Sequence, residues 1–270
     1  MAQLAQTQAI ELKRLNQLQD NFLSTVSYEL RIPLANIRMA IQMISLALKR
    51  DETNFAIPSE EAFILSSQLF DKVTRYLAVL QKECDRETKL IQDLLDLQQL
   101  DTDTLSLIMS VIQIDQWLPY IVNPFQKRFQ EYQLTCTVDI EPDLPSLMCD
   151  QVNLSRILVE LLNNAYRYTP PGEHITVAVR KVSSITNPDE ILFHLQVTNS
   201  GVELPPEEIP RIFDKFYRIP KLDLRKQGGT GLGLALVQKL VTRLGGQVLV
   251  ESKQGSTSFT VELPFQGVRH

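Results

Sequence analysis

Apolar residues in the first hundred positions recur with helical spacing. Phe22, Val26, Leu30, Pro33, Ile37, Ile41 and Ile44 are separated by four, four, three, four, four and three residues, which gathers them on one stripe of a long helix. Ahead of them, residues 1–20 are rich in Ala, Gln, Leu and Lys and hold no Gly or Pro, which predicts a connecting helix. Pro33 removes a backbone donor and crowds the carbonyl four residues earlier, so a bend just after Tyr28 is expected. Residues 51–59 are polar, with Asn54 and Pro58, and predict a loop. A second stripe, Leu65, Leu69, Val73, Tyr76, Leu80, Cys84, Ile91 and Leu94, continues to about Leu100. The two stripes predict an antiparallel helical hairpin over 21–103. Two such helices bury little alone. Pairing with a second copy completes a four-helix bundle as a dimer, and an intramolecular bundle is the alternative.

The periodicity changes over 104–270. Val111–Ile114, Gln133–Ile140, His174–Val182 and Ile191–Asn199 are short, rich in β-branched residues and bounded by turn residues, so they predict strands. Asp115–Tyr132, Asp150–Tyr168 and Leu232–Leu244 have helical length and spacing, and Gln247–Lys253 with Thr257–Leu263 predict a closing hairpin. The fold class expected is α+β, a helical hairpin followed by an α/β sandwich.

Composition narrows the range of partners. With 270 residues and 44% hydrophobic content the chain can fill two domains. A formal charge of -5 and a pI near 5.4 speak against nucleic acid or a membrane surface, which call for a basic face. Cys84, Cys136 and Cys149 are odd in number and lack metal-ligand spacing, which predicts buried free thiols and a reducing, cytoplasmic setting. Neither a run of eighteen apolar residues nor a signal peptide is found in the sequence, so no direct membrane span is expected.

The candidate chemistry begins at Gly228-Gly229-Thr230-Gly231-Leu232-Gly233, with four of the ten glycines within six residues and directly before a helical pattern. Glycines let the backbone approach closely, and the free amides at a helix start favour an anion, so this is a candidate phosphate cradle. It lacks the Lys-Ser/Thr ending of a P-loop and the strand that precedes a dinucleotide fingerprint. Upstream, Glu160 and Asn164 are four apart and share one face of a helix, with Leu158, Leu161, Leu162 and Ala165 available to a core.

Several strings together resemble the sensor histidine kinase family, the transmitter modules of two-component systems. Ser27-Tyr28-Glu29-Leu30-Arg31-Ile32-Pro33-Leu34 is similar to the family's phosphoacceptor box, with Tyr28 where the family has its acceptor histidine and Ile32 where it has a threonine linked to phosphatase action. The three histidines, His174, His194 and His270, all lie after residue 173. Leu154–Pro170 resembles the N box, Val197–Pro205 the adenine-binding box, Arg211–Arg218 the F box, and Gly228–Leu234 the glycine box. The resemblance covers about residues 20–264 in the family's order. It implies a HisKA-type dimerisation and phosphoacceptor hairpin followed by a HATPase domain, a Bergerat-type ATP-binding sandwich.

By that resemblance ATP and Mg²⁺ are the cofactors. Asn164 ligates the metal, Glu160 acts as base or orients the metal's water, and Arg167 meets phosphates. Tyr168, Asn199, Gly201, Lys226, Gly229, Thr230, Gly231, Leu232 and Gly233 complete the nucleotide site. Lys221 and Arg225 belong with Lys226 to a lid over Ile219–Gly228, and Phe213 and Phe216 pack beneath it. Asn199 stands in place of an aspartate, so it accepts from adenine without charge assistance. Glu203 stands in place of a glycine and brings a negative charge near the triphosphate; if positive φ is needed there, it costs on the order of 1–2 kcal/mol.

Tyr28 projects away from the apolar stripe, and Glu29 beside it is the candidate base. Neutral imidazole is nucleophilic near pH 7, whereas ionising a phenol there costs about 4 kcal/mol. The expectation is therefore a transmitter module that forms a homodimer, binds ATP and signals by autophosphorylation with an altered acceptor. A response-regulator receiver domain and an upstream sensor domain are the expected partners. The alternative is a non-catalytic scaffold that dimerises and uses nucleotide only as a conformational ligand.

Overall fold

The structure, a computed structural model, describes residues 26–46, 60–101, 106–183, 191–219 and 229–265, with the side chains of the second helix described from residue 70. The connecting helix expected over 1–20, Phe22, the loop at 51–59 and the lid residues Lys221, Arg225, Lys226 and Gly228 lie outside the described residues. The chain divides into two compact units, Met1–Gln92 and Asp93–His270.

The first unit holds α1 (residues 26–46) and most of α2 (Glu60–Asp101). On α1 Pro33 and Ala40 are buried, and Val26, Leu30, Ile37 and Ile44 are half-buried between them. The helix runs on through Pro33. Ile41, expected on the stripe, is exposed because Ala40 takes the inward position one residue earlier. On α2 the inward phase is Val73, Tyr76, Leu80, Glu83, Glu87 and Leu90, so Cys84 and Ile91 point outward, one residue out of phase and about 100° away. Two polar pairs join the helices in antiparallel sense: Asn36 donates to Glu83 at 3.3 Å, and Arg86 meets Glu29 at 3.3 Å. Glu83 Oε2 and Glu87 Oε1 are buried without a hydrogen-bond partner among the described residues.

The second unit begins with the last turns of α2 and continues through β1 (Met109–Ile112), α3 (Ile114–Glu131), β2 (Thr135–Ile140), β3 (Leu147–Asp150), α4 (Gln151–Tyr168), β4 (His174–Ser183) and β5 (Ile191–Ser200). A short 3-10 turn at Ile209–Arg211, α5 (Gly233–Arg243), β6 (Gln247–Lys253) and β7 (Ser256–Pro264) close it. The main sheet has the order β2-β4-β5-β7-β6, with β2 parallel to β4 and the other pairs antiparallel. β1 and β3 form a separate two-stranded ribbon. β1 lies two residues before the expected strand, and β3 was not expected.

Strict alternation places one face of the sheet inward: Ile175, Val177 and Val179 of β4, Phe193, Leu195 and Val197 of β5, and Phe259, Val261 and Leu263 of β7 are all buried. Leu118, Val122 and Phe129 of α3, Leu158, Leu161 and Leu162 of α4, and Leu236, Val237 and Leu240 of α5 complete the core. The other face carries cross-strand polar pairs, Thr137–Thr176, Gln196–Thr260 and His194–Glu262, as a solvated sheet face requires. The mixed α/β sandwich and the helical region before it match the fold class expected from sequence.

All three thiols are free, but only Cys149 is buried; Cys84 is exposed because its position falls outside the inward phase of α2. Burial pushes the Cys136 and Cys149 thiols up to about 11, which leaves both protonated and unreactive at neutral pH.

Candidate nucleotide site

α4 is started by Asp150, whose Oδ1 accepts from the Asn153 amide at 3.0 Å, and it ends at Thr169 before Pro170. Its apolar face locks into the sheet, which holds Glu160 and Asn164 on the opposite side of the stripe. Glu160 is buried at 5% exposure, although Arg156, one turn earlier, keeps its Nε 3.4 Å from the carboxylate. Asn164 and Tyr168 line a cavity that opens to solvent. Asn199, at the end of β5 and 3% exposed, forms another part of its wall with Thr257, its partner in the β5–β7 register. Val202, Leu204, Ile212, Leu234 and Phe259 supply an apolar lining, and Tyr217, Arg218 and Ile219 complete it.

The glycine loop runs into α5. Its N-cap, Leu232, offers no side-chain hydrogen bond, so the first amides of the helix are left for another acceptor. Leu232 is fully buried, which restricts its contribution to its backbone; its amide donates to Thr230 Oγ1 at 3.3 Å. Gly231 sits at φ +70° with a hypothetical Cβ only 2.7 Å from the Phe216 backbone, whose amide donates to the Gly231 carbonyl at 2.9 Å. A side chain there would be both strained and obstructed. At Gly229 a Cβ would fall 1.3 Å from the Arg167 guanidinium, so Arg167 lies directly against the loop backbone. Glu160 Oε2 is 2.8 Å from the Cβ position of Gly233. Glu160, Arg167 and the glycine loop are thus brought together, while Asn164, Tyr168 and Asn199 meet at the cavity.

Gly201, at φ +74°, turns the chain out of β5 against Glu173. Glu203 is not strained: the positive-φ residues other than glycine among those described are Gln133, Asp143, Phe216 and Gln254. Its carboxylate accepts from the Gly255 amide at 2.9 Å, in the β6–β7 turn. The cavity walls Val202, Leu204, Tyr217, Thr257 and Phe259 were missed by sequence reasoning; only the sheet register and the F-box turn bring them to Asn199. Phe213 and Phe216 are half-buried, and the neighbouring Tyr217 hydroxyl is engaged by Glu208. Among the described residues no group of three or more His, Cys, Asp or Glu side chains could hold a metal. A cation here would need ligand oxygens from phosphate, with Asn164 as the protein's neutral contribution and Glu160 within reach of the loop.

In the first unit Tyr28 is 61% exposed and Ile32 40%, on the same side of α1. Glu29 is held by Arg86.

Comparison with known proteins places these features in a class. Residues 18–103 match the His Kinase A (phospho-acceptor) domain, and residues 149–267 match the family described as histidine kinase-, DNA gyrase B-, and HSP90-like ATPase. The chain has the domain make-up of a sensor histidine kinase transmitter module. Among its relatives, it is 28% identical over 261 residues to the sensor histidine kinase WalK of Bacillus subtilis, covering 95% of this chain and 38% of that protein. It is 31% identical to the circadian input-output histidine kinase CikA of Synechococcus elongatus, covering 93% of this chain and 30% of that protein. The chain therefore spans under half the length of these relatives. Full-length ShkA, in complex with AMPPNP, shares the fold with TM-score 0.63 and 21% identity over 93% of this chain and 47% of that one. Histidine kinase ThkA, in complex with response regulator protein TrrA, gives TM-score 0.62 and 16% identity over 94% and 64%.

Proposed function

We propose that the chain is the transmitter part of a two-component signalling kinase: it binds ATP with Mg²⁺ in the cavity of the second unit, dimerises through its hairpin and carries Tyr28 at the acceptor position. The observation that supports this reading is the arrangement of Asn164, Asn199 and the glycine loop around one apolar-walled cavity. A flat heterocycle suits the wall of Val202, Leu204, Ile212 and Phe259, with the Asn199 side chain as acceptor for an exocyclic amino group. The triphosphate then runs toward the uncapped start of α5 and Arg167, and Lys226 belongs to the same phosphate set. Mg²⁺ bound there would neutralise charge on the phosphates, with Asn164 as its protein ligand and Glu160 orienting its water.

In the transfer step the Tyr28 Oη attacks the γ-phosphorus. The new Oη–P bond forms as the bond from phosphorus to the β–γ bridging oxygen breaks; ADP leaves and the phenolic proton passes to a base, for which Glu29 is the nearest candidate in sequence. The likeness to ThkA, solved in complex with response regulator protein TrrA, supports a response-regulator receiver domain as partner; an upstream sensor domain and a cytoplasmic position for this part belong to the same proposal. Leu34, Met39 and Ile41 of α1 with Leu77 of α2 are 51–56% exposed, and a second hairpin would cover them. Sedimentation of the full chain should show a dimer, and Ile41→Glu should weaken it.

Calorimetric titration with Mg²⁺ and ATP tests the site. Binding should be modest, roughly tenfold weaker in Asn164→Ala; absence of binding at millimolar ATP, or no change in Asn164→Ala, overturns it. One observation favours a second reading, the non-catalytic scaffold: Glu29, the candidate base beside Tyr28, is engaged by Arg86 at 3.3 Å.

A further inference from the structure

The last turns of α2 carry Asp93, Asp96 and Asp101, with no basic residue in the last turn. Of these carboxylates Asp101, in the last turn, lies against the negative end of the macrodipole, so the helix itself gains nothing from it. Each is met by a cation of the nucleotide-site unit. Asp93, fully buried, receives Arg156 Nη2 at 2.5 Å, and Asp96 lies 3.6 Å from the same nitrogen. Asp101 meets Lys239 of α5 at 2.8 Å and Lys215 of the F box at 3.1 Å. The second oxygen of Asp93 is 3.5 Å from Thr230 Oγ1 in the glycine loop. Arg156 in turn faces Glu160 on α4. One acidic helix end therefore touches both the helix that carries Glu160 and Asn164 and the loop that forms the cradle.

We propose that this helix end is a nucleotide-sensitive latch: Asp93 occupies the Thr230 hydroxyl and places a buried negative charge beside the cradle, so the latch and a nucleoside triphosphate are antagonistic ligands of the same loop. The inference rests on the reading of the cavity as an ATP site and adds its regulation. A triphosphate brings several negative charges beside a cluster in which Asp93, Asp96 and Glu160 already share the Arg156 guanidinium, with Asp93 fully buried where solvent screens little. Coupling of this kind is reciprocal. The factor by which the latch weakens nucleotide binding is the factor by which bound nucleotide weakens the latch. Asp101, held by Lys215 and Lys239 away from the loop, strengthens the latch without touching the cradle.

The test uses the full chain, Asp93→Asn and Asp101→Asn, titrated calorimetrically with Mg²⁺ and AMPPNP, together with hydrogen exchange of residues 93–101 with and without the nucleotide. Asp93→Asn should bind about five- to fifty-fold more tightly and Asp101→Asn about two- to fivefold. Saturating nucleotide should speed exchange of the 93–101 amides in the unmodified chain. If Asp93→Asn folds and its affinity is unchanged or lower, or if nucleotide leaves exchange over 93–101 unchanged or slows it, the latch is wrong while the ATP site stands. Should Asp93→Asn fail to fold, Asp101→Asn and the exchange measurement decide by the same criteria. Lack of AMPPNP binding in every form overturns the ATP reading, and the latch with it.

Discussion

The indole N–H of Trp117 donates to Ser155 Oγ at 2.9 Å and so ties α3 to α4, the helix of Glu160 and Asn164. Trp117 is the chain's one tryptophan and is only 5% exposed. Removing the hydroxyl leaves a buried donor without its partner, so Ser155→Ala should lower stability by about 1–2 kcal/mol. Urea unfolding followed by tryptophan fluorescence would read this as a lower midpoint at unchanged slope. An unmoved midpoint would show that the bond contributes nothing.

Gly229 and Arg167 should act as a unit. Gly229→Ala puts a methyl group where the guanidinium lies, and a long side chain yields more readily than backbone, so the fold should survive while Arg167 is driven off the loop. ATP affinity should drop about tenfold, the worth of one charge-assisted contact. In Arg167→Ala the same substitution should have almost no further effect. Equal losses in both backgrounds, measured by titration, would disprove the coupling.

Glu87 should make the hairpin respond to pH. Burial pushes its carboxyl above the usual value of 4.5; Glu83 adds to the rise and Arg86 opposes it. A raised folded-state value means that the folded chain binds the proton more tightly than the unfolded one, so this residue's contribution falls as pH rises through the window from 4.5 upward. Glu87→Gln should flatten that dependence and raise the melting temperature at pH 7. Melts of the full chain at pH 4.5 to 8 test it: a variant that keeps the slope, or melts lower at pH 7, contradicts the assignment.

Tyr28 decides between the kinase and the scaffold. Incubation with labelled ATP should yield no acid-labile phosphate at residue 28, and any label there should be acid-stable. Tyr28→Phe should abolish it, and Tyr28→His should produce an acid-labile product, since imidazole supplies the missing nucleophile. Acid-labile label on the unmodified chain would refute the acceptor argument. No label in Tyr28→His would put the scaffold ahead.

Much of the second unit was legible because its signals are local. The alternation in 174–182 and 191–199 predicted β4 and β5 almost to the residue, and β6 is as expected. β3 was not legible: Leu147-Met148-Cys149-Asp150 has no β-branched residue, and its strand partner among the described residues is β1, about 35 residues earlier at the nearest pairing, Ile112 with Leu147. In the hairpin the apolar stripe concealed its true phase, because Glu83 and Glu87 take inward positions that composition assigns to solvent. At the site, Glu160, Asn164 and the glycine loop were visible as short-range patterns. Thr257 and Phe259 were not, since their place beside Asn199 exists only once β5 and β7 are in register. Glu203 looked like backbone strain in sequence and proves to be a cap for the Gly255 amide.

Asp150 has a mechanical consequence. One of its oxygens starts α4 through the Asn153 amide, and the other accepts from the Ile108 amide at 2.9 Å, on the segment that enters β1. A pull on that incoming segment is therefore borne by the same carboxylate that anchors the helix of Glu160 and Asn164. The entry strand cannot be displaced by more than a hydrogen-bond length without either dragging the first turn of that helix or stripping one of its two ties, so tension on the chain reaches the helix start without crossing the core.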